Sequence, residues 1–239
     1  LKLREFAELG HLVIVLIGDF TGMIGDPTDK LSTRKKLSAQ EVARNYRQYK
    51  NQISKILPKV RVTYAYNSRW FKKMKMAEVL DLASEFTTSQ MLERDMFQER
   101  IKSGQPIFMN ELFYPLLQGY DSVALNIDME IGGNDQTFNM LVGRTLLKRQ
   151  GKDKYVIALK LLTDPSGKKM GKTDGNAVFL DNHPNEIYGK VMSWSDELVP
   201  IALEIVTLLP TTKIAEILSL NPRDAKMALA RELTTLYTS

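Results

Sequence analysis

The sequence of 239 residues has no cysteine and only two histidines, His11 and His183. Without cysteine, the chain cannot form a disulfide framework, a thiolate zinc or iron–sulfur site, or a cysteine nucleophile. Two histidines also argue against a histidine metal cluster and against a Ser-His-Asp hydrolase. Long apolar runs are scarce as well. The best run, at residues 12–17, is far shorter than the roughly 18 residues needed to span a membrane.

What the chain does contain is typical of a folded globular protein. Hydrophobic residues make up 44% of it and charged residues 26%, which disfavours global disorder. Lysine and arginine number 33 against 28 acidic residues, so the formal net charge is +5. A modest positive charge is compatible with a polyanionic partner such as a nucleotide or a nucleic acid.

Periodicity divides the chain into an α/β part and a helical part. Four β-rich runs are found at residues 12–17, 60–66, 126–131 and 155–159. Between them lie predicted helices at residues 38–57, 76–86, 89–101, 110–125 and 135–149, and this alternation favours a mostly parallel sheet. After Asn176 only helical signals remain, at residues 184–193, 196–208, 212–218 and 222–237. We therefore expect a domain boundary near residues 175–185.

Two helix starts are marked by capping residues. Ser38 and Glu41 have the Ser-x-x-Glu spacing of a capping box and should open the helix that stops before Pro58. Asn221 followed by Pro222 predicts the start of the last helix, because proline is favoured at the first helical position.

The first candidate functional segment is residues 21–28, which follow the first strand. Ligands of open α/β sheets bind beyond the carboxyl ends of strands, so the segment is well placed. Gly22 and Gly25 would let the backbone approach a ligand closely, and Asp26 could accept hydrogen bonds from an ammonium group. The alternative is an ordinary Gly-Asp-Pro turn without a ligand.

The second candidate is a polar set on one helix. Helical geometry places Gln118 and Asp121 within about 40° of Tyr114 around the axis. A phenol, an amide and a carboxylate on one face can bind a small zwitterion or a hydroxyl group. The alternative is a polar stripe that faces solvent.

The third candidate is the Gly132-Gly133-Asn134-Asp135-Gln136 junction between a strand and a helix. Such a junction offers backbone N–H groups and the positive end of a helix dipole to an anion. Asp135 could bind a ribose hydroxyl, as an acidic residue does in dinucleotide-binding folds. A purely structural tight turn would also account for the two glycines.

The fourth candidate is the segment Lys168-Lys169-Met170-Gly171-Lys172-Thr173, within a loop rich in small and polar residues. A mobile loop that carries three lysines suits a charge clamp on transferring phosphates. The alternative is a basic loop that is simply solvated.

Taken in order, the four segments resemble the bacterial, class I tyrosyl-tRNA synthetases. The resemblance is carried by Thr-Gly-x-Ile-Gly-Asp-Pro, Tyr-x-x-x-Gln-x-x-Asp, Gly-Gly-x-Asp-Gln and Lys-Met-Gly-Lys-Thr, and it runs almost continuously through the chain. The last segment is similar to the Lys-Met-Ser-Lys-Ser signature of that family.

The resemblance implies a fold and a domain plan. Residues 1–178 would form a Rossmann-like catalytic domain with a mostly parallel sheet, and residues 179–239 an all-α anticodon-recognition domain. It further implies a cytoplasmic homodimer that binds L-tyrosine, ATP with Mg²⁺ and tRNA(Tyr), with no dedicated metal site on the protein and no membrane association.

The resemblance also implies roles in tyrosine binding. Asp26, Tyr114 and Gln118 would hold the amino group of the substrate. Asp121 would face its phenolic hydroxyl, and Gln136 would lie near its carboxylate.

For ATP, the resemblance implies a ribose site and a phosphate clamp. Gly133 and Asp135 would contact the ribose, while Lys169, Lys172 and Thr173 would act on the phosphates. The tyrosine carboxylate would attack the α-phosphate directly, so no protein nucleophile is needed and the scarcity of cysteine and histidine is no obstacle.

The sequence departs from the family pattern at three points. It has no His-x-Gly-His signature, which in the family precedes the equivalent of Asp26, and no small C-terminal RNA-binding domain. Glu130 stands where many members have glutamine. We therefore expect a fragment truncated at both ends, with little activity on its own.

Two other functions are compatible with this pattern. A tryptophanyl-tRNA synthetase has the same fold and reaction, but a carboxylate at Asp121 favours a phenol over an indole. A non-catalytic RNA-binding relative would keep the scaffold, although it would have no need of the loop lysines.

Overall fold

The structure, a computed structural model, describes residues 1–26, 38–163, 170 and 178–238. The first half of the described chain contains these elements: α1 (Lys2–Glu8), β1 (Val13–Ile17), α2 (Thr21–Ile24), α3 (Ala39–Ile56), β2 (Val62–Tyr66), α4 (Ser68–Phe71), α5 (Met76–Ser84), α6 (Thr88–Leu92) and α7 (Asp95–Lys102). The second half contains α8 (Met109–Leu125), β3 (Met129–Gly133), a 3₁₀ turn (Asn134–Gln136), α9 (Thr137–Arg149), β4 (Tyr155–Leu159), α10 (Pro184–Met192), α11 (Leu198–Val206), α12 (Thr211–Leu218) and α13 (Pro222–Thr238).

The strands pair in two parallel sets. β3 and β4 run parallel with Glu130 opposite Val156. β1 pairs with β2, and backbone bonds from Val13 N to Arg61 O (2.8 Å) and from Asn67 N to Ile17 O (3.1 Å) show that these two strands also run in the same direction. Parallel strands separated by helices confirm the predicted α/β class.

Two of the predicted element boundaries were wrong near β3. The strand begins at Met129 and not at residue 126, because Asn126 ends α8 in the left-handed conformation with φ of 48°. The helix predicted at residues 135–149 begins only at Thr137, since residues 134–136 form a 3₁₀ turn.

The single helix predicted at residues 89–101 was also wrong. The chain forms α6 and α7 with Arg94 extended between them, at φ −62° and ψ 131°. The Arg94 guanidinium lies 5.3 Å from the ring centroids of both Phe97 and Phe138. These cation–π contacts stabilise the break, and the contact with Phe138 joins residues that are distant in sequence.

The predicted helix caps were confirmed. At the start of α3, Ser38 N donates to Glu41 Oε2 (2.8 Å) and Glu41 N donates to Ser38 Oγ (3.2 Å), which is a capping box. At the start of α13, Asp224 N donates to Asn221 Oδ1 (3.0 Å). Local sequence was sufficient at both ends because each bond joins residues only three apart.

By its internal contacts, the chain forms two compact units. One comprises residues 1–13, 48–62 and 160–239; the other comprises residues 14–47 and 63–159. In the first unit, α10 to α13 enclose an apolar core that includes the fully buried Ile187, Leu203 and Leu229. The described residues from 178 to 238 are helical or connecting, as predicted. A domain boundary at residues 178/179 stays a prediction.

The second unit contains β3, β4 and the closely packed pair of α8 and α9. Two glycines make this close packing possible: a Cβ on Gly119 would lie 2.6 Å from Val142 Cγ1, and one on Gly143 would lie 2.6 Å from Ser122 Oγ. Side chains of α8 are therefore brought directly against the start of α9, where the site described below is found.

Candidate active site

The chain turns sharply after β1 and leads to Asp26. Residues 21–24 form the single helical turn α2. Gly25 has φ of 86°, a conformation that favours glycine. Asp26 follows and is half-buried, while residues 27 and 28 lie outside the described residues.

The polar set on α8 does not face solvent. Asp121 is buried, and Tyr114 and Gln118 are half-buried. Trp70 Nε1 donates to Asp121 Oδ1 (2.8 Å), and Asn67 Nδ2 donates to Asp121 Oδ2 (3.3 Å). The alternative of a solvent-facing polar stripe is therefore wrong.

Asp121 is a carboxyl group with an unusual electrostatic environment. Burial raises the pKa of Asp121 to about 7, and the negative charges of Glu130 and Asp19 act in the same direction. The hydrogen bonds from Trp70 and Asn67 oppose this shift because they stabilise the charged form. The carboxyl is shielded from solvent and is held by two hydrogen-bond donors. It is therefore suited to accept a further hydrogen bond from a ligand hydroxyl.

Asn67 holds this carboxyl in place through a fully buried amide. Its Nδ2 also donates to Thr21 Oγ1 (2.9 Å), and its Oδ1 accepts from Phe20 N (2.9 Å). Beside it, Asp19 accepts hydrogen bonds from Ser68 N (2.7 Å) and Ser68 Oγ (2.5 Å). The end of β1 is thus fastened to the start of α4, which carries Trp70.

A second network joins three of the predicted residues through an amide that was not predicted. Gln136 Nε2 donates to Asp26 Oδ2 (2.9 Å). Asn139 Nδ2 donates to Gln136 Oε1 (2.9 Å) and to Gln118 Oε1 (3.0 Å). Asn139 is fully buried on α9 and bonds to both glutamines, so the network as a whole joins residues from three separate segments.

The strand-to-helix junction brings Asp135 to a cleft. Gly133 ends β3, and Asp135 lies in the 3₁₀ turn that follows. A cleft of about 330 Å³ is lined by Asp135, Asn134, Phe138 and residues 93–96. Gly132 has a packing role, since a Cβ there would lie 2.9 Å from Met140 Sδ.

Of the lysine segment, only Met170 is among the described residues. Lys169, Lys172 and Thr173 lie outside the described residues, so their predicted role stays a prediction.

Among the residues that the structure describes, no three histidine, aspartate or glutamate side chains gather as a metal site. Within the same residues, no helix is long and apolar enough to cross a membrane.

The whole chain matches one protein family. The profile described as "tRNA synthetases class I (W and Y)" matches residues 1–239. The chain belongs to this family. The hydrogen-bond networks around Asp121 and Asn139 therefore lie within a class I tRNA synthetase chain, in agreement with the resemblance found in the sequence.

Similar proteins from other organisms include tyrosine–tRNA ligases. This chain is 48% identical over 246 residues to the tyrosine–tRNA ligase of Carboxydothermus hydrogenoformans, a match that covers 100% of this chain and 60% of the relative. It is 48% identical over 243 residues to that of Haemophilus influenzae, which covers 99% and 61% respectively. The chain therefore spans about three fifths of the length of these relatives.

Solved structures agree on the fold of this synthetase chain. A C-terminally truncated mitochondrial tyrosyl-tRNA synthetase from Coccidioides posadasii matches with a TM-score of 0.73 at 26% identity, over 94% of this chain and 70% of that one. The tyrosyl-tRNA synthetase of Archaeoglobus fulgidus, solved with L-tyrosine, matches with a TM-score of 0.73 at 20% identity, over 99% and 81%. The predicted class I synthetase fold is confirmed.

Sequence reasoning missed the residues that hold the predicted ones in position. Asn67 and Trp70 support Asp121 from more than 50 positions away, and no local pattern marks them. Asn139 was detectable in part, because it lies three residues after Gln136 and such residues share a helix face.

Proposed function

We propose that the protein activates L-tyrosine with ATP to form tyrosyl-adenylate and pyrophosphate, and then transfers the tyrosyl group to the 3′ end of tRNA(Tyr). The observation that carries this proposal is the buried carboxyl of Asp121, which lies on the same helix as Tyr114 and Gln118. Trp70 and Asn67, from an earlier part of the chain, donate hydrogen bonds to it. A carboxylate in this environment suits a substrate that brings one hydroxyl donor on an apolar ring.

The amino-acid end of tyrosine would be bound by the amide network. We infer that Asp26, Tyr114 and Gln118 receive the ammonium group and that Gln136 lies near the carboxylate. The hydrogen bond between Gln136 and Asp26 supports this arrangement, because it brings a donor and a carboxylate side by side. Asn139 would keep the two glutamines in fixed orientations.

The chemistry requires positioning and charge stabilisation rather than a protein nucleophile. The tyrosine carboxylate attacks the α-phosphate of ATP, which enters as its Mg²⁺ complex, and pyrophosphate leaves. We assign the ribose to Gly133 and Asp135, and the location of Asp135 at a cleft is compatible with this. On the sequence pattern, Lys169, Lys172 and Thr173 would stabilise negative charge on the phosphates.

The remaining expectations concern partners and organisation. We propose that residues 179–239 belong to an anticodon-recognition domain, and the net charge of +5 suits a tRNA partner. We further propose that the protein is a cytoplasmic homodimer. Light scattering coupled to size-exclusion chromatography measures the oligomeric state, and a monomer would contradict that proposal.

Amino-acid-dependent ATP–pyrophosphate exchange tests the proposed activity. The full-length protein should catalyse exchange with tyrosine and much less with tryptophan or phenylalanine. Exchange that prefers tryptophan would make the protein a tryptophan enzyme. No exchange with any amino acid, combined with retained tRNA binding, would make it a non-catalytic RNA-binding relative.

A further inference from the structure

An ion pair with a buried lysine contacts the segment of α8 that carries the carboxyl assigned to tyrosine recognition. Lys154, immediately before β4, is 2% exposed, and its ammonium forms an ion pair with Glu130 on β3. The same Nζ donates to Ser122 Oγ (2.8 Å) and to the carbonyl of Met140 (2.9 Å). Three acceptors from three different elements therefore surround one buried charge.

The cluster is built into the packing of α8 and α9. A Cβ on Gly143 would lie 2.7 Å from Lys154 Nζ, so glycine at this position leaves the room that the ammonium occupies. Ser122 Oγ donates to Glu130 Oε2 (3.1 Å), which closes the set of contacts. Because Ser122 is the next residue after Asp121, the cluster fixes Glu130 beside the segment of α8 that carries the pocket carboxyl.

The groups that shift the pKa of Asp121 are either negatively charged or neutral. Glu130 on β3 and Asp19 after β1 are negative and raise the pKa of Asp121, while its hydrogen-bond donors Trp70 and Asn67 are neutral. Burial lowers the pKa of Lys154, and the neighbouring Glu130 acts in the opposite direction. Glu130 is the negative partner of the ion pair with Lys154, and it acts on Asp121 by disfavouring a second negative charge.

We propose that Glu130, held in place by its ion pair with Lys154, sets the charge of Asp121 and thereby the pH above which the pocket distinguishes tyrosine from phenylalanine. The inference rests on the proposed function, since it takes Asp121 to face the phenol. An ionised, buried carboxylate is poorly satisfied when phenylalanine is bound, because phenylalanine supplies no hydroxyl donor. A protonated carboxyl is neutral and loses much less, so discrimination weakens when Asp121 is protonated.

The titration of Asp121 can be followed without any ligand. Trp70 Nε1 donates to Asp121 Oδ1, so the ¹⁹F resonance of 5-fluorotryptophan at position 70 should report the ionisation of that carboxyl. The full-length protein contains this probe once every tryptophan is labelled, and Trp70→Phe identifies its signal. Asp121→Asn should abolish the pH-dependent change in the signal.

Two variants of the cluster separate charge from structure. Glu130→Gln keeps the size and the acceptor oxygen but removes the charge, and it should lower the midpoint by roughly half a unit to one unit. Ser122→Ala is the matched control, because it removes two hydrogen bonds and no charge while the ion pair between Lys154 and Glu130 remains, and it should leave the midpoint unchanged. The pH profile of the tyrosine-to-phenylalanine ratio of kcat/KM should move with the midpoint in Glu130→Gln.

The outcomes distinguish this inference from the proposed function. An unchanged midpoint in Glu130→Gln, an equal shift in Ser122→Ala, or a transition that survives in Asp121→Asn would overturn the control of Asp121 by Glu130, and the proposed function would stand. A shifted midpoint with an unshifted selectivity profile would instead overturn the role of Asp121 in reading the phenol, and with it the specificity assigned to Glu130.

Discussion

At the scale of single residues, one buried carboxyl organises the pocket. The spacing of Tyr114, Gln118 and Asp121 predicted a shared helix face, and the burial of Asp121 excludes a simple solvated stripe. The neighbours that hold Asp121 could not be predicted, because Asn67 and Trp70 reach it only after the chain has folded. Periodicity identifies which side chains share a face, but it does not identify the partners that the face meets.

Replacement of Asp121 by asparagine should stabilise the protein at alkaline pH. The pKa of Asp121 is raised from 3.8 to about 7, so the folded state binds a proton more tightly than the unfolded state does. This contribution to stability is full below about pH 4 and is lost as pH rises to about 7. Asp121→Asn should therefore gain about 1–3 kcal/mol at pH 8, since each pKa unit corresponds to about 1.4 kcal/mol and the amide loses one acceptor.

Urea unfolding at pH 8 and at pH 5 measures this effect. The gain should be clearly smaller at pH 5, where more of the wild-type carboxyl is protonated in the folded state. An equal gain at both values, or a loss of stability at pH 8, would contradict the burial of a titrating carboxyl at this position.

Removal of the Asn139 amide should weaken tyrosine binding more than it slows the reaction. Asn139 contacts Gln118 and Gln136 rather than the phosphates, so Asn139→Ala should raise KM for tyrosine about tenfold with a smaller change in kcat. Arg144→Ala, at an exposed position on the same helix, is the control and should leave KM unchanged. The kinetics of pyrophosphate exchange provide both constants; a loss confined to kcat would exclude the orienting role.

At the scale of elements, local sequence signals predicted most helices. The predicted helix boundaries were wrong where contacts with residues distant in sequence determine them. The caps at Ser38 and Asn221 were confirmed because they depend on neighbouring residues alone. The break at Arg94 was missed because it is stabilised partly by Phe138, which belongs to another helix. The single turns α2 and α4 were also missed, since four residues are too few for a helical period to be recognised.

The close packing of α8 against α9 should fail when a methyl group is added at Gly143. The new Cβ would lie 2.6 Å from Ser122 Oγ and 2.7 Å from Lys154 Nζ, so Gly143→Ala should destabilise the protein by about 1–3 kcal/mol. Gly189→Ala in α10 is the matched control, because no atom beyond its chain neighbours and the backbone of its own helix would lie within 4 Å of its Cβ. That variant should be neutral or more stable by about 0.5–1 kcal/mol, as alanine is the better helix former. Urea unfolding of both variants measures the difference, and a similar stability would contradict the packing described here.

At the scale of the whole molecule, the described site residues belong to one compact unit. Residues 14–47 and 63–159 contain both networks, the one around Asp121 and the one around Asn139. The α/β class and the order of the motifs could be predicted from sequence, because they depend on periodicity and on composition along the chain. The division into units could not, since residues 48–62 join a unit made mostly of the last eighty residues.

The most direct test of the account is the selectivity of the full-length protein for tyrosine over phenylalanine in ATP–pyrophosphate exchange. We expect the ratio of the two kcat/KM values to fall about tenfold in Asp121→Asn, because a hydrogen bond to a charged acceptor is replaced by a weaker neutral one. Asp128→Asn is the control, since the side chain of Asp128 is 91% exposed, and it should keep the wild-type ratio. An unchanged ratio in Asp121→Asn would contradict the central claim that this buried carboxyl reads the phenol of the substrate.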